Sequence, residues 1–90
     1  MVRKILCCCG HGLGSSSLIE MVVTEALSDL KATEIEVRHV ALADLSFEEC
    51  DLIICAKDLE EECRQYFPTI ALVNLMDTEE MKNRLRPYLV

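Results

Sequence analysis

Four hydrophobic segments of the chain predict β-strands. Residues 2–8 and 51–56 are almost continuously apolar apart from the charged residues near their starts, and such runs are typical of strands buried on both faces. Residues 34–39 alternate between polar and apolar, which predicts a half-exposed strand at the edge of a sheet. Residues 69–75 supply a fourth strand. The strands are separated by segments with different periodicities.

Helices are predicted between these strands. From about Ser17 to Lys31 apolar residues recur every three or four positions, which predicts a helix: Ile19, Val22, Val23, Ala26, Leu27, Leu30. Ser15 or Ser16 is in place to cap that helix. A short, highly charged helix is expected over residues 57–65, before Pro68. Asp77 opens a last helix with an acidic start and a basic end, and Pro87 is expected to end it or bend its last turn.

The order of elements predicts an α/β domain. A β-α-β-β-(α)-β-α series with two fully apolar strands indicates a four-stranded parallel sheet flanked by helices on both faces. The sequence has no repeat, linker or low-complexity stretch, so residues 1–90 are expected to form a single domain. In such sheets ligands bind beyond the carboxyl ends of the strands, where the strand order reverses. The end of the first strand brings Cys9 to that edge.

Charge and cysteine content exclude several classes of function. A net charge of −7 argues against nucleic acid and against an anionic membrane surface. Three of the six cysteines are consecutive, Cys7 to Cys9, and cannot pair sensibly with one another. Neither a signal peptide nor an apolar run of about 20 residues is found, so reduced thiols and a cytoplasmic location are expected. No zinc spacing occurs, and no metal or other cofactor is predicted.

The chemistry is expected at the glycine-rich stretch from Cys9 to Ser17. The protein's three glycines, Gly10, Gly12 and Gly14, alternate there between a strand and a helix, where backbone N–H groups and the helix dipole create a pocket for an anion. Cys9 stands at the entrance, where the same donors favour its thiolate. The pattern therefore predicts that Cys9 carries a phosphoryl group.

Other interpretations of this loop fit less well. The glycine spacing is not that of a dinucleotide site, and no lysine follows as a nucleotide P-loop requires. Cysteine-based phosphatases carry an arginine six residues after the nucleophile, and here that position is Ser15. A carrier is therefore favoured over a small phosphatase or arsenate reductase, which stays an alternative, as does an anion-binding module without catalysis.

The motif Cys-Gly-x-Gly-x-Gly-Ser-Ser resembles the enzyme IIB components of the bacterial sugar phosphotransferase system. The resemblance is to the ascorbate- and galactitol-type proteins and, more distantly, to the lactose/cellobiose type; it implies a flavodoxin-like or phosphotyrosine-phosphatase-I-like fold. It also implies that Cys9 takes phosphate from a phosphohistidine of a IIA protein and passes it to a sugar in the membrane permease IIC, at which the protein would be peripheral. The phosphate would be cradled by residues 10–16: Gly10, His11, Gly12, Leu13, Gly14, Ser15, Ser16.

The remaining chemically capable residues have ordinary structural interpretations. Cys7 and Cys8 are expected to pack inside the first strand, and His39 at the end of the second. Cys55 is expected in the core and Asp77 at a helix start, although a role for His11, Cys55 or Asp77 in the transfer stays open.

Overall fold

Four parallel strands form a sheet in the order β2-β1-β3-β4. The computed structural model describes residues 2–9, 13–74 and 76–89, and the side chains of Cys9 and residues 13–17 lie outside that description. The strands within the described residues are β1 (Lys4–Cys9), β2 (Glu36–Ala41), β3 (Leu52–Ala56) and β4 (Thr69–Leu72). Each neighbouring pair is parallel. The predicted parallel sheet is confirmed.

Helices cover both faces of this sheet, as predicted. The helices are α1 (Leu13–Asp29), α2 (Glu60–Arg64) and α3 (Thr78–Leu89), with 3₁₀ turns at Leu42–Phe47 and Lys57–Leu59. Helices α1 and α3 bury their apolar residues with alternate residues of the strands in one layer. The second layer lies on the opposite face, under α2 and the 3₁₀ turns. The fold is therefore an α/β sandwich with an apolar core on each side of the sheet.

The two central strands are the most deeply buried part of the chain. Residues 5–8 of β1 and residues 52–55 of β3 are all buried, which explains their unbroken apolar sequences. Strand β2 lies at the edge beside β1, as its alternating pattern predicted. Its bounds are Glu36–Ala41, two residues later than the predicted 34–39. Strand β4 ends at Leu72, short of the predicted Leu75, which lies outside the described residues. Val73 directly after it is 86% exposed.

The start of α1 differs from the sequence-based expectation. The helix begins at Leu13, so Gly14 lies within its first turn, and not in the preceding loop. Ser15 and Ser16 are also helical residues, so the prediction that one of them is the N-cap was wrong. An N-cap residue has non-helical backbone angles. The first N–H groups of the helix have no partner within the helix itself.

The end of α1 is a Schellman motif closed by a lysine. Lys31 has φ of 61°, a left-handed conformation that usually belongs to glycine. Its N–H donates to the carbonyl of Ser28 at 3.0 Å, and the N–H of Ala32 donates to that of Leu27 at 2.8 Å. These two bonds satisfy carbonyl groups at the helix end and turn the chain toward β2.

The last helix follows its predicted course with one exception. Pro87 lies inside α3, which continues to Leu89, so the proline does not end the helix. Met81 and Leu85 are buried against α1 and the sheet, whereas Tyr88 is exposed and lies outside the core. Because a proline in the last turn removes only one helical hydrogen bond, the helix can run past it.

Candidate functional site

Cys9 is the last residue of β1, a central strand of the sheet. Its register partner on β2 is Ala41, while its neighbour Cys8 is paired with Cys55 on β3. The chain leaves β1 through α1 on one face of the sheet and leaves β3 through α2 on the other. The carboxyl ends of β1 and β3 therefore flank the point where the strand order reverses, which is where open α/β sheets bind ligands.

The first turn of α1 places backbone N–H groups close to Cys9 along the chain. Leu13 is the fourth residue after Cys9. The N–H groups of residues 13–16 belong to the first turn of α1. Such groups have no partner within their own helix, and the aligned peptide dipoles add about half a positive charge there. The first turn of α1 contains no acidic residue to neutralise it. Gly10, His11 and Gly12 lie outside the described residues.

The thiols next to Cys9 on the same strand are packed in the core. Cys7 and Cys8 are fully buried, one in each layer, which confirms their predicted role in strand packing. Burial, reinforced by the Glu20 carboxylate, raises the pKa of Cys7 well above that of a free thiol. Burial likewise raises the pKa of Cys50 to about 11. Cys7 and Cys50 are therefore protonated thiols near neutral pH and poor nucleophiles.

His39 differs from its expected role as a packing residue. It is exposed, and its Nδ1 lies 3.0 Å from Oε1 of Glu20, on the second turn of α1. The register places His39 opposite Cys7, two residues before Ala41 at the carboxyl edge. The pair joins the edge strand to the helix that follows Cys9. Sequence reasoning missed it because the two residues are 19 positions apart and neither forms part of a motif.

Asp77 is the N-cap of α3. Its Oδ1 accepts a hydrogen bond from the N–H of Glu80 at 3.1 Å, and its carbonyl accepts one from Met81 at 3.0 Å. This confirms the expected helix-start role. Asp77 follows β4, which is two strands away from β1 in the sheet.

Cys55 belongs to the core, as expected, but it has an unexpected neighbour. The thiols of Cys55 and Cys63 are joined by a hydrogen bond, and Cys8 also hydrogen-bonds to Cys63. All three residues are fully buried in the layer under α2. The sequence assigned no role to Cys63, because its only signal was an isolated cysteine in a highly charged helix.

Metal ligands and membrane spans were also sought in the described part of the chain. No group of three or more His, Cys, Asp or Glu side chains there is arranged to hold a metal ion. None of the helices in residues 2–9, 13–74 and 76–89 has the length and apolar character needed to cross a bilayer.

The chain is similar to known phosphotransferase proteins. A family model described as "PTS system, Lactose/Cellobiose specific IIB subunit" matches residues 4–86. The "PTS system mannitol-specific EIICBA component" of Escherichia coli (strain K12) is 32% identical over 80 residues, which cover 86% of this chain and 12% of that protein. The protein with the same description from Klebsiella pneumoniae gives the same identity and coverage. The chain thus spans about an eighth of the length of these relatives.

The family match and the parallel α/β fold agree. Components of this class take part in phosphoryl transfer in a sugar phosphotransferase system, where they work with IIA and IIC components. The match extends from the first strand into the last helix. The chain therefore belongs to the IIB family of the phosphotransferase system.

Proposed function

We propose that Cys9 is the phosphoryl carrier of this IIB protein. In the first step the Cys9 thiolate attacks the phosphorus of a phosphohistidine on IIA, the S–P bond forms, and the N–P bond breaks as imidazole leaves. In the second step a sugar hydroxyl bound in IIC attacks the same phosphorus. The O–P bond forms, the S–P bond breaks, and the hydroxyl proton passes to a base, which leaves Cys9 as a thiolate.

The position of Cys9 carries this proposal. It ends a central strand at the point of strand-order reversal, and the first N–H groups of α1, which have no partner within the helix, begin four residues later. A phosphoryl group held there has strong acceptor oxygens for these donors and a negative charge for the positive end of the helix. In this proposal residues 10–16 hold the phosphate: Gly10, His11, Gly12, Leu13, Gly14, Ser15, Ser16.

The lack of an arginine in the sequence that follows Cys9 supports phosphoryl transfer rather than hydrolysis. A phosphatase or arsenate reductase of similar build needs a guanidinium clamp on the phosphate, but residues 10–37 contain no arginine. Arg38 lies on β2 opposite Leu6 and forms an ion pair with Glu36 at 3.5 Å. Without a clamp dedicated to the transition state of hydrolysis, the S–P bond can persist until an acceptor arrives.

The acceptor is proposed to be a sugar of the ascorbate or galactitol type. The mannitol named in the description of the curated relatives is also an open-chain hexitol, and the family model names lactose and cellobiose. The sugar is bound by IIC in this scheme, so the IIB chain needs only to reach it from the cytoplasmic side of the permease. Transfer from phosphorylated protein to each sugar, with membranes that contain the matching IIC, distinguishes these substrates.

The direct test is labelling with radioactive phosphate. The protein is incubated with the phosphorylated general phosphotransferase proteins and a matching IIA, and the labelled residue is located by mass spectrometry. We expect one phosphoryl group per chain, on Cys9. Cys9→Ser should abolish the labelling because a serine alkoxide is not available near neutral pH. Cys50→Ser is the matched control and should label normally, since Cys50 is a protonated thiol.

Two results would reject the carrier function. One is labelling that survives in Cys9→Ser. The other is steady hydrolysis of an aryl phosphate or reduction of arsenate by the isolated chain, which would favour the phosphatase or reductase alternative. Phosphate binding that is retained in Cys9→Ala, without any covalent intermediate in the unaltered protein, would instead indicate an anion-binding module.

A further inference from the structure

Three buried cysteines form a thiol cluster in the layer under α2. We define this thiol cluster as Cys8, Cys55 and Cys63. Cys8 and Cys55 are register partners on the adjacent strands β1 and β3, and Cys63 lies on α2, which packs over the same layer. All three are fully buried. The proposed phosphoryl transfer uses none of them.

The cluster is chemically asymmetric. Hydrogen bonds with Cys55 and with Cys8 lower the pKa of Cys63, against the opposing effect of burial. The hydrogen bond with Cys63 and burial both raise the pKa of Cys55. Cys63 lies on the short helix α2, whereas Cys55 lies inside a central strand, so Cys63 is the thiol that becomes accessible first when the structure opens locally. Such an arrangement pairs an attacking thiol with a resolving thiol.

Cys55 and Cys63 lie in the same buried layer of the core. Their thiols interact and α2 packs against β3, so a bond of about 2 Å between the two sulfurs needs a local approach of α2 to β3. A shared metal ion does not explain the cluster, because the described residues contain no group of three ligands arranged to hold one. No disulfide joins the cysteines whose side chains are described.

We propose that Cys55 and Cys63 are a second reactive site, a reversible dithiol–disulfide pair that is oxidised by peroxide. The sulfur of Cys63 attacks one oxygen of hydrogen peroxide, the O–O bond breaks, and a sulfenic acid and water are formed. The Cys55 thiol then attacks the sulfenic sulfur, the S–O bond breaks, and a second water leaves with the thiol proton. The two sulfurs lose two electrons in total, and these electrons reduce the peroxide to water.

The oxidant reaches Cys63 through α2. This helix has only five residues, and Glu61, Glu62 and Arg64 are exposed while Cys63 faces the core. A single helical turn with a solvent-exposed outer face opens more readily than a central strand. Opening of α2 exposes Cys63 first and leaves Cys55 in the sheet, so the reaction is expected to be slower than oxidation of an exposed thiol.

Digestion on the amino side of aspartate separates the relevant cysteines. Cleavage before Asp29, Asp44, Asp51, Asp58 and Asp77 places Cys7, Cys8 and Cys9 in residues 1–28, Cys50 in 44–50, Cys55 in 51–57 and Cys63 in 58–76. The purified chain is treated with hydrogen peroxide, its remaining thiols are alkylated, and its peptides are analysed by mass spectrometry. Because the analysis uses the unaltered protein, it does not depend on a variant that folds.

We expect peptides 51–57 and 58–76 to be joined with the loss of two hydrogens and of two alkylatable thiols. Dithiothreitol should restore both thiols. Cys9→Ser and Cys50→Ser, as matched controls, should give the same cross-link, whereas Cys55→Ser and Cys63→Ser should lose it. The proposal is overturned if both peptides stay separately alkylatable after Cys9 is fully oxidised, or if either peptide is joined to residues 1–28 instead.

Discussion

At the scale of single residues, Asp77 shows how one carboxylate admits two explanations. It follows the last strand, where an acid could assist phosphoryl chemistry, and it also stands at the start of α3. The structure supports the second role, because Oδ1 accepts from the N–H of Glu80 at 3.1 Å. Asparagine accepts the same hydrogen bond without being an acid, so substitution separates the two roles.

We predict that Asp77→Asn keeps both the stability of the protein and the labelling of Cys9. Asp77→Ala should lose about 1 kcal/mol of the free energy of unfolding, since it removes the cap, but should label normally when folded. Chemical denaturation measures the stability, and the phosphate assay measures the transfer. Asp44→Ala, which alters an exposed acid on a 3₁₀ turn, is the control for loss of charge. A strong fall in labelling for Asp77→Asn alone would show that the carboxyl takes part in transfer.

The roles of single residues could be predicted where the neighbouring residues in the sequence indicate them. Cys9 could be placed at the end of the first strand because an apolar run stops there and glycines begin, and Asp77 could be placed at a helix start by its acidic neighbours. The partners of His39 and Cys63 could not be predicted, because Glu20 and Cys55 approach them only after the sheet and helices have packed. Long-range contacts of this kind have no local pattern.

At the scale of elements, the end of α1 carries a measurable strain. Lys31 adopts φ of 61° to close the Schellman motif. A residue with a Cβ atom pays about 1 kcal/mol for this conformation, and glycine does not. The lysine side chain is exposed, so its replacement leaves the core layers unchanged.

We predict that Lys31→Gly stabilises the protein, by up to about 1 kcal/mol, because relief of the left-handed strain exceeds the added freedom of the unfolded chain. The free energy of unfolding from denaturant titration checks this. Lys31→Ala removes the same charge and keeps the Cβ atom, so it should give no comparable gain. Equal stabilisation by alanine and glycine would mean that charge, and not backbone conformation, is the cause.

Element types were more predictable than element ends. The central strands were evident because burial on both faces demands apolar residues throughout, and β2 was identified as an edge by its alternation. The start of α1 was misplaced because serine is a common cap, while the helix already begins at Leu13. Strand β4 was predicted too long because Val73 is apolar although exposed, so hydrophobicity alone did not indicate where pairing stops.

At the scale of the whole molecule, Asp51 ties the starts of the two central strands together. Its Oδ2 accepts hydrogen bonds from the N–H of Arg3 at 2.8 Å and of Lys4 at 3.0 Å. Its own N–H donates to the carbonyl of Lys4 at 2.9 Å. The two backbone bonds to the carboxylate hold the pKa of Asp51 below its usual value. The ionised form therefore stabilises the register that brings Cys9 and Cys55 to one edge.

We predict a pH dependence of stability from this contact. Because the pKa of Asp51 is lower in the folded than in the unfolded chain, its contribution is fully present above the ordinary aspartate value of about 3.9 and is lost as the pH falls through the folded value. Asp51→Asn should be less stable than the unaltered protein at pH 7, and the difference should shrink in acid. Unfolding titrations across this range measure it, with Asp58→Asn as the control. A difference that does not change with pH would contradict the assignment.

The arrangement of the two ends of the chain bears on how this domain can be joined to others. Val2, Arg3 and Leu89 line one cavity of about 520 Å³, so the start of β1 and the end of α3 are near each other. Cys9 lies at the far end of β1, about 17 Å along the strand. A tether attached to either terminus would emerge from the pole opposite the thiol. Under the proposed carrier function, a module joined there would leave the carboxyl edge of the sheet, where Cys9 lies, uncovered.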